Sequence, residues 1–103
     1  MLKKIIILSS VLMSPLVVAE DSAEVKALKK GMPQDVAVLI ERTVECNYWG
    51  GEDSSNKARA EKINQAMERL KCDALEKDHA SIAKTYQNNY EVKVRMQKAK
   101  ELF

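Results

Sequence analysis

Three side chains stand out for the chemistry they could perform: Cys46, Cys72 and His79. They are the only cysteines and the only histidine among the 103 residues. Two cysteines allow one intramolecular pairing, which would close a loop of about 27 residues and stabilise a fold by about 3.5 kcal/mol in the chain-entropy account. A small domain has a total stability of only ~5 kcal/mol at the low end. The sequence therefore predicts a disulfide that matters to the fold.

The same three residues could instead hold a zinc ion, with Glu45 or Glu52 as a fourth ligand. Structural zinc sites normally use closely spaced ligand pairs such as C-x2-C. Cys72 and His79 are seven positions apart, which on a helix is roughly 10 Å along the axis. That distance is too long for one ion, so we expect no metal site and no cofactor.

A catalytic role for His79 would require a nucleophile and an orienting group within reach of its ring. Its neighbours Asp78 and Ser81 are too close in sequence to face it on a helix. His79 also falls on an apolar stripe, a position typical of a histidine packed in a core or a groove. We expect no catalytic residues and no enzymatic activity.

The segment ECNYWGGEDSS, residues 45–55, combines aromatic, glycine and acidic residues. One interpretation is that the Trp49 ring covers the disulfide and seals a small core. The other is that Tyr48, Trp49, Glu52 and Asp53 form a protruding loop, braced by the disulfide, that binds a partner. Trp and Tyr are frequent binding hot spots, and a braced loop loses little entropy on binding. These four residues are the candidate partner-binding site.

The N-terminus has the pattern of a secretory signal peptide over residues 1–19. Lys3 and Lys4 precede an apolar stretch, and Val17 and Ala19 occupy the positions that a signal peptidase reads. The apolar stretch is interrupted by polar residues and is shorter than the ~20 residues of a membrane span. We expect cleavage near Ala19 and a periplasmic or secreted protein, where a disulfide can persist.

The expected mature chain, residues 20–103, is a single small helical domain with balanced charge. Once Lys3 and Lys4 are removed, 15 basic residues remain against 15 acidic residues. Nucleic-acid-binding proteins carry excess positive charge, so no nucleic-acid partner is expected. A domain of this size buries only a modest core and often needs a covalent staple.

The apolar periodicity indicates an all-α fold, a small bundle of three to four short helices stapled by one disulfide. Capping patterns predict helix starts at Asp21, within residues 53–55, at Asp73 and at Asn88. Gly31 is expected to end the first helix. The second helix, which starts at Pro33, is expected to end near Cys46, and Gly50-Gly51 to supply positive φ where the chain reverses.

The second half of the chain contains apolar sets that a single straight helix would place on opposite sides. We therefore predict a break between Lys71 and Ala74, although an unbroken helix buried on both faces is the alternative. The last helix places four apolar residues together, namely Val92, Met96, Ala99 and Phe103. Its lysines suggest a solvated face over a core stripe rather than a membrane-binding surface.

In size, export and cysteine pair, the gross plan is similar to that of small exported bacterial helical proteins that inhibit cell-wall hydrolases, and to that of periplasmic immunity proteins against toxins. This resemblance implies a non-catalytic protein that binds another protein, and it assigns no residue roles. The alternative is a structural or envelope accessory protein that oligomerises or associates with the membrane surface through its helices.

Overall fold

The computed structural model of the protein describes residues 22–102, which form five α-helices and one short 3-10 helix. The helices are α1 (Ala23–Lys29), α2 (Gln34–Gly50), α3 (Lys57–Arg69), α4 (Leu75–Thr85) and α5 (Tyr90–Glu101), with the 3-10 helix at Cys72–Ala74. This part of the chain contains no β-strand, which confirms the all-α prediction. The predicted signal peptide, residues 1–19, and Phe103 lie outside the described residues.

The expected count of three to four helices is too low, because the described chain forms five. The first helix, α1, is short enough to fray alone, but it buries Val25 and Leu28 in the core. The predicted break in the second half of the chain is confirmed at Lys71 and adds a further helix to the count. It separates α3 from α4, and the turn at residues 86–89 separates α4 from α5.

The long helix α2 is the centre of the fold, and each of the other four helices packs against it. Its buried positions follow the helical period predicted from the sequence: Val36, Leu39, Ile40 and Val44. The rest of the main core comes from α1, α4 and α5, through Val25, Leu28, Ile82, Val92, Met96 and Ala99. Burial against α2 therefore holds these helices in place.

Arg95 of α5 secures the C-terminal end of α1. Its Nη1 atom donates to three carbonyl oxygens of the last turn of α1 and the residue after it: Ala27 at 3.2 Å, Leu28 at 2.8 Å and Lys30 at 3.0 Å. The last carbonyls of a helix have no partner within the helix and carry partial negative charge. A guanidinium there satisfies the acceptors and complements the helix dipole.

Arg42 of α2 performs the same task at the C-terminal end of α3. Its Nε donates to the carbonyl of Leu70 at 2.9 Å and its Nη2 to the carbonyl of Lys71 at 3.0 Å. Its Nη1 donates to Asp78 Oδ2 at 2.8 Å. One side chain of α2 thus contacts both sides of the break, where Lys71 has a left-handed φ of 55°.

The cysteine pair lies beside this arginine. The Sγ atoms of Cys46 and Cys72 are 2.06 Å apart, at disulfide distance, as the sequence predicts. Cys46 follows Arg42 by four positions, so both side chains leave the same face of α2. We call Arg42, Cys46, Cys72 and Asp78 the junction, because they join α2 to the α3–α4 break by a covalent bond and by charged hydrogen bonds.

Helix α3 depends on the junction more than the other helices do. Its two buried residues, Ile63 and Ala66, are not part of the main core cluster. Among the helices, it makes its principal contacts with α2. A helix with so little buried apolar surface gains little from packing alone, so its position is fixed largely by the junction at its C-terminal end.

Three helix starts differ from the sequence predictions by one or a few residues. The side chains that accept from the helix backbone are Ser22 for α1, Asn56 for α3 and Asn89 for α5, at 3.1–3.2 Å. The predicted caps were Asp21, residues 53–55 and Asn88. The predicted cap at Asp73 is also wrong, because α4 starts after Ala74 without a side-chain cap. Where polar residues are consecutive, packing of the helix decides which one is the cap.

Removing the cysteine pair is expected to destabilise the protein substantially. The double variant Cys46→Ala/Cys72→Ala should lose about 3.5 kcal/mol of unfolding free energy, because its unfolded chain is no longer constrained by the closed loop. Urea denaturation followed by circular dichroism measures the loss. Wild-type protein under reducing conditions should show a similar decrease, and equal stabilities of all three samples would contradict the prediction.

A side chain of similar length that cannot donate hydrogen bonds is not expected to replace Arg42. Arg42→Met should cost about 2–3 kcal/mol of unfolding free energy, since two carbonyls and a carboxylate lose a charged donor. Arg69→Met, which alters an exposed arginine at the end of α3, is the matched control and should change stability by less than about 0.5 kcal/mol. Similar losses in both variants would contradict the role of Arg42.

Candidate functional site

Tyr48 and Trp49 lie on the last turn of α2, not on a protruding loop. The helix continues four residues beyond Cys46 to Gly50, and Gly51 is its C-terminal cap. Gly51 has a φ of −93°, so the expected positive φ at this glycine pair is wrong. The expectation assumed that the chain turns directly after the cysteine, but the glycine pair itself ends the helix. The aromatic pair is therefore held by helical backbone.

A charged pair lies against the aromatic residues, with Arg59 on α3 and Glu52 in the segment between α2 and α3. The rings of Tyr48 and Trp49 are 5.2 Å apart in an edge-to-face arrangement. The guanidinium of Arg59 lies 5.5 Å from the centre of the Trp49 ring, within the range of a cation–π contact. Glu52 forms an ion pair with the same guanidinium. We call Tyr48, Trp49, Glu52 and Arg59 the aromatic cluster.

No pattern in the sequence singled out Arg59. It stands seven residues after Glu52, in the first turn of α3, among several other charged residues that look like an ordinary solvated face. Its hydrogen bond with Glu52 and, to a lesser degree, its interaction with Tyr48 raise the pKa of its guanidinium further. Only the arrangement of α3 beside the end of α2 shows that this arginine belongs with the aromatic pair.

The surroundings of Trp49 agree in part with both interpretations drawn from the sequence, a ring that seals the core and a ring that is exposed for binding. Its side chain is half-buried and borders a hollow of about 270 Å³ whose other walls belong to α3. The walls are formed by Lys62, Gln65, Ala66 and Arg69. The indole ring thus packs beside α3 and still lines an open surface.

Asp53 is not brought into the aromatic cluster. Its carboxylate accepts a hydrogen bond from the backbone N–H of Ser55 at 3.0 Å, which closes a small turn before α3. This backbone hydrogen bond, with a further one from the Ser55 side chain, lowers the pKa of Asp53. Of the four residues predicted to bind a partner, Tyr48, Trp49 and Glu52 are therefore adjacent, and Asp53 has a separate role in the turn.

His79 is bonded to a buried hydroxyl of the central helix. Thr43 Oγ1 donates to the carbonyl of Leu39 at 2.7 Å and lies 2.8 Å from His79 Nε2. Because the hydroxyl proton is used by Leu39, Nε2 must carry a proton and donate to Thr43. Burial, together with the nearby positive charges of Lys100 and Arg42, lowers the pKa of the imidazole.

A groove lies between α4 and α5. Both helices pack against α2, and their contact with each other is slight. The groove has a volume of about 350 Å³. Ile82, Val92 and Met96 form its floor, and the rims carry Glu76, His79, Lys93, Gln97 and Lys100. The sequence predicted that His79 faces a core or a groove, but nothing in it indicated that the two helices separate.

Two further expectations concern metals and membranes. Within residues 22–102, no three His, Cys, Asp or Glu side chains are grouped so that they could hold a metal ion. None of the helices in this range combines the length and apolar composition needed to span a bilayer. The apolar positions of α5, namely Val92, Met96 and Ala99, are buried in the core.

Acidification is expected to weaken the fold through His79. The folded pKa of this histidine lies below its ordinary value of 6.5. Between these two pKa values, the unfolded chain binds the proton more readily than the folded one. Unfolding free energy should therefore fall as pH decreases below about 6.5 and stop responding to this group below its folded pKa.

Urea denaturation at about pH 7.5 and about pH 5.5 measures this dependence. His79→Gln is the control, because glutamine can donate to Thr43 but does not titrate in this range. The variant should show a smaller stability difference between the two pH values. An unchanged difference would assign the pH dependence to other groups.

No family profile, no curated protein and no solved structure matches this chain.

Proposed function

We propose that this protein acts by binding another protein through the aromatic cluster, without catalysing a reaction. The observation that carries the proposal is the close grouping of Trp49, Tyr48 and Arg59 on one half-exposed surface. Tryptophan, tyrosine and arginine are the residue types most enriched at the hot spots of protein interfaces. A cluster of all three has the composition of an interface centre.

The cluster is also rigid before a partner arrives. Tyr48 and Trp49 are on helical backbone within one turn of Cys46, which is paired with Cys72. Glu52 holds the Arg59 guanidinium against the indole ring. Side chains that are already fixed lose less conformational entropy on binding, and this raises affinity without any new contact.

The hollow beside Trp49 gives the surface a shape that a partner can fill. Its walls include Lys62 and Arg69, so an acidic or aromatic side chain of the partner would suit it. A single inserted side chain in such a hollow, surrounded by polar groups, is the arrangement found at many tight interfaces.

The non-catalytic part of the proposal is supported by the role of the single histidine. His79 Nε2 donates to Thr43, so the ring nitrogen that faces α2 is engaged in holding α4 to the central helix. The imidazole is thus part of the packing between helices.

We further propose that the protein acts outside the cytoplasm, in the periplasm or as a secreted protein, and that it inhibits a cell-envelope hydrolase or a toxin. The support is a cysteine pair at disulfide distance, which is typical of proteins in oxidising compartments. Together with the predicted signal peptide, this supports the location, whereas the inhibitor-type or immunity-type role rests on the resemblance in gross plan to small exported helical proteins.

The test is capture of a partner from envelope extract by the immobilised protein and by single variants. Trp49→Ala should abolish capture of a protein that the wild type retains. Tyr90→Ala is the matched control, because Tyr90 is an aromatic residue with 78% exposure at the start of α5, outside the cluster. It should retain the same partner.

Affinity for the purified partner then gives a quantitative measure. Trp49→Ala should weaken binding by at least about 30-fold, equivalent to a hot-spot loss of ~2 kcal/mol, while the far-UV circular dichroism spectrum remains that of the wild type. A folded Trp49→Ala variant with unchanged affinity would exclude the cluster as the binding surface. Loss of the helical spectrum would instead assign Trp49 to the core.

A further inference from the structure

Helix α3 can leave its place without taking the main core apart. Its buried residues, Ile63 and Ala66, lie outside the main core cluster. The buried residues of that cluster come from α1, α2, α4 and α5. The principal contacts of α3 are with α2 and with the 3-10 helix at Cys72–Ala74. Release of α3 therefore removes little from the packing of the other four helices.

The covalent bond at the junction is the restraint that most favours the docked position of α3. The hydrogen bond from Arg42 to the carbonyl of Lys71 is exposed, so water can replace the arginine there. Lys71 itself has a left-handed φ of 55°, which is unfavourable for a residue other than glycine. Undocking of α3 would relieve that backbone. Breaking the Cys46–Cys72 bond would also free a closed loop of about 27 residues, and both effects favour the released position.

The two sulfur-bearing residues differ in their access to solvent. Cys46 is buried, with 5% exposure. Cys72 is half-buried and borders a surface hollow of about 720 Å³, whose other walls are Asn64, Met67, Glu68 and Asp73. A thiolate breaks a disulfide by attacking one of its two sulfurs, and the attacked sulfur must be within reach. Cys72 is therefore the side of the bond that a thiol can approach.

We propose that the Cys46–Cys72 bond is a redox switch that controls the position of α3. A thiolate of a dithiol reductant attacks Cys72 Sγ and forms a mixed disulfide, and Cys46 leaves as a thiolate that takes up a proton. The second thiol of the reductant attacks the reductant's own sulfur in the mixed disulfide, which releases Cys72 as a thiol. The reductant is oxidised to a cyclic disulfide, and two electrons and two protons pass to the cysteines.

The consequence of reduction is local. Helix α3 leaves α2 and carries Arg59 away from Trp49, while the other four helices remain packed. This inference concerns the position of α3 and holds whether or not the aromatic cluster binds a partner. If the cluster is the binding surface of the proposed function, reduction takes it apart, and the oxidised protein is the binding form.

Fluorescence of Trp49 tests the switch, because it is the single tryptophan of the chain. Dithiothreitol added to the folded protein should shift its emission to longer wavelength, as the indole ring loses its α3 neighbours. The far-UV circular dichroism spectrum should lose no more helical signal than the 13 residues of α3 contribute. Cys46→Ala/Cys72→Ala is the matched control, whose emission should already be shifted and should not respond to dithiothreitol.

Hydrogen exchange followed by mass spectrometry locates the released segment. In the reduced protein, the amides of α3 should exchange faster than those of the buried stripe of α2, because a released helix opens locally. The expected difference is at least about tenfold and at most about 300-fold, the latter being the whole effect of freeing a loop of this length. In the oxidised protein the two helices should differ less.

A monothiol identifies the sulfur that is attacked. Cysteamine is a suitable probe, because its amine is attracted to the carboxylates of Glu68 and Asp73 in the hollow. After brief reaction and alkylation of free thiols, peptide mass spectrometry should find cysteamine on Cys72 and the alkyl group on Cys46.

Several results would overturn the proposal. Unchanged Trp49 emission and α3 exchange in a protein shown to have two free thiols would mean that the bond does not position α3. Equal loss of protection in α2 and α3, or loss of helical signal beyond that of α3, would show that the bond supports the whole fold. Cysteamine found on Cys46 would reverse the assignment of the attacked sulfur. Absence of partner capture by the oxidised protein would instead count against the proposed function alone.

Discussion

The fold depends on the junction between α2 and the α3–α4 break. Lys71 has a left-handed backbone there, which is unfavourable for a residue other than glycine. Arg42 holds the carbonyls on one side of the break and Asp78 on the other, and Cys46 is paired with Cys72 one turn away. Without these contacts, α3 would lose its fixed position, since its own buried surface is small.

Side chains that reach across to a helix C-terminus recur in this protein. Arg42 and Arg95 secure the ends of α3 and α1, and Asn47 donates to the carbonyls of Lys100 and Leu102 at the end of α5. These bonds link segments far apart in sequence and satisfy carbonyls that would otherwise need water. In a domain with a small core, such bonds add both stability and a defined arrangement of helices.

The aromatic cluster and the groove follow from this arrangement. The junction fixes α3 beside the end of α2, which brings Arg59 over Trp49. On the other side, α4 and α5 each pack against α2 rather than against each other, and the separation leaves the groove above Ile82 and Met96. One central helix therefore produces both the aromatic cluster and the groove.

The sequence by itself determined the helical class, the core stripe of α2, the break near Lys71 and the cysteine pair. These features depend on residue type and local spacing: apolar period, helix breakers and the single possible pairing of two cysteines. The tertiary structure alone decided that α2 continues past Cys46, that Asn56 and Asn89 are the caps, and that Arg59 joins Trp49. It also decided that α4 and α5 separate. These outcomes depend on contacts between residues distant in sequence, whose free energies no local pattern encodes.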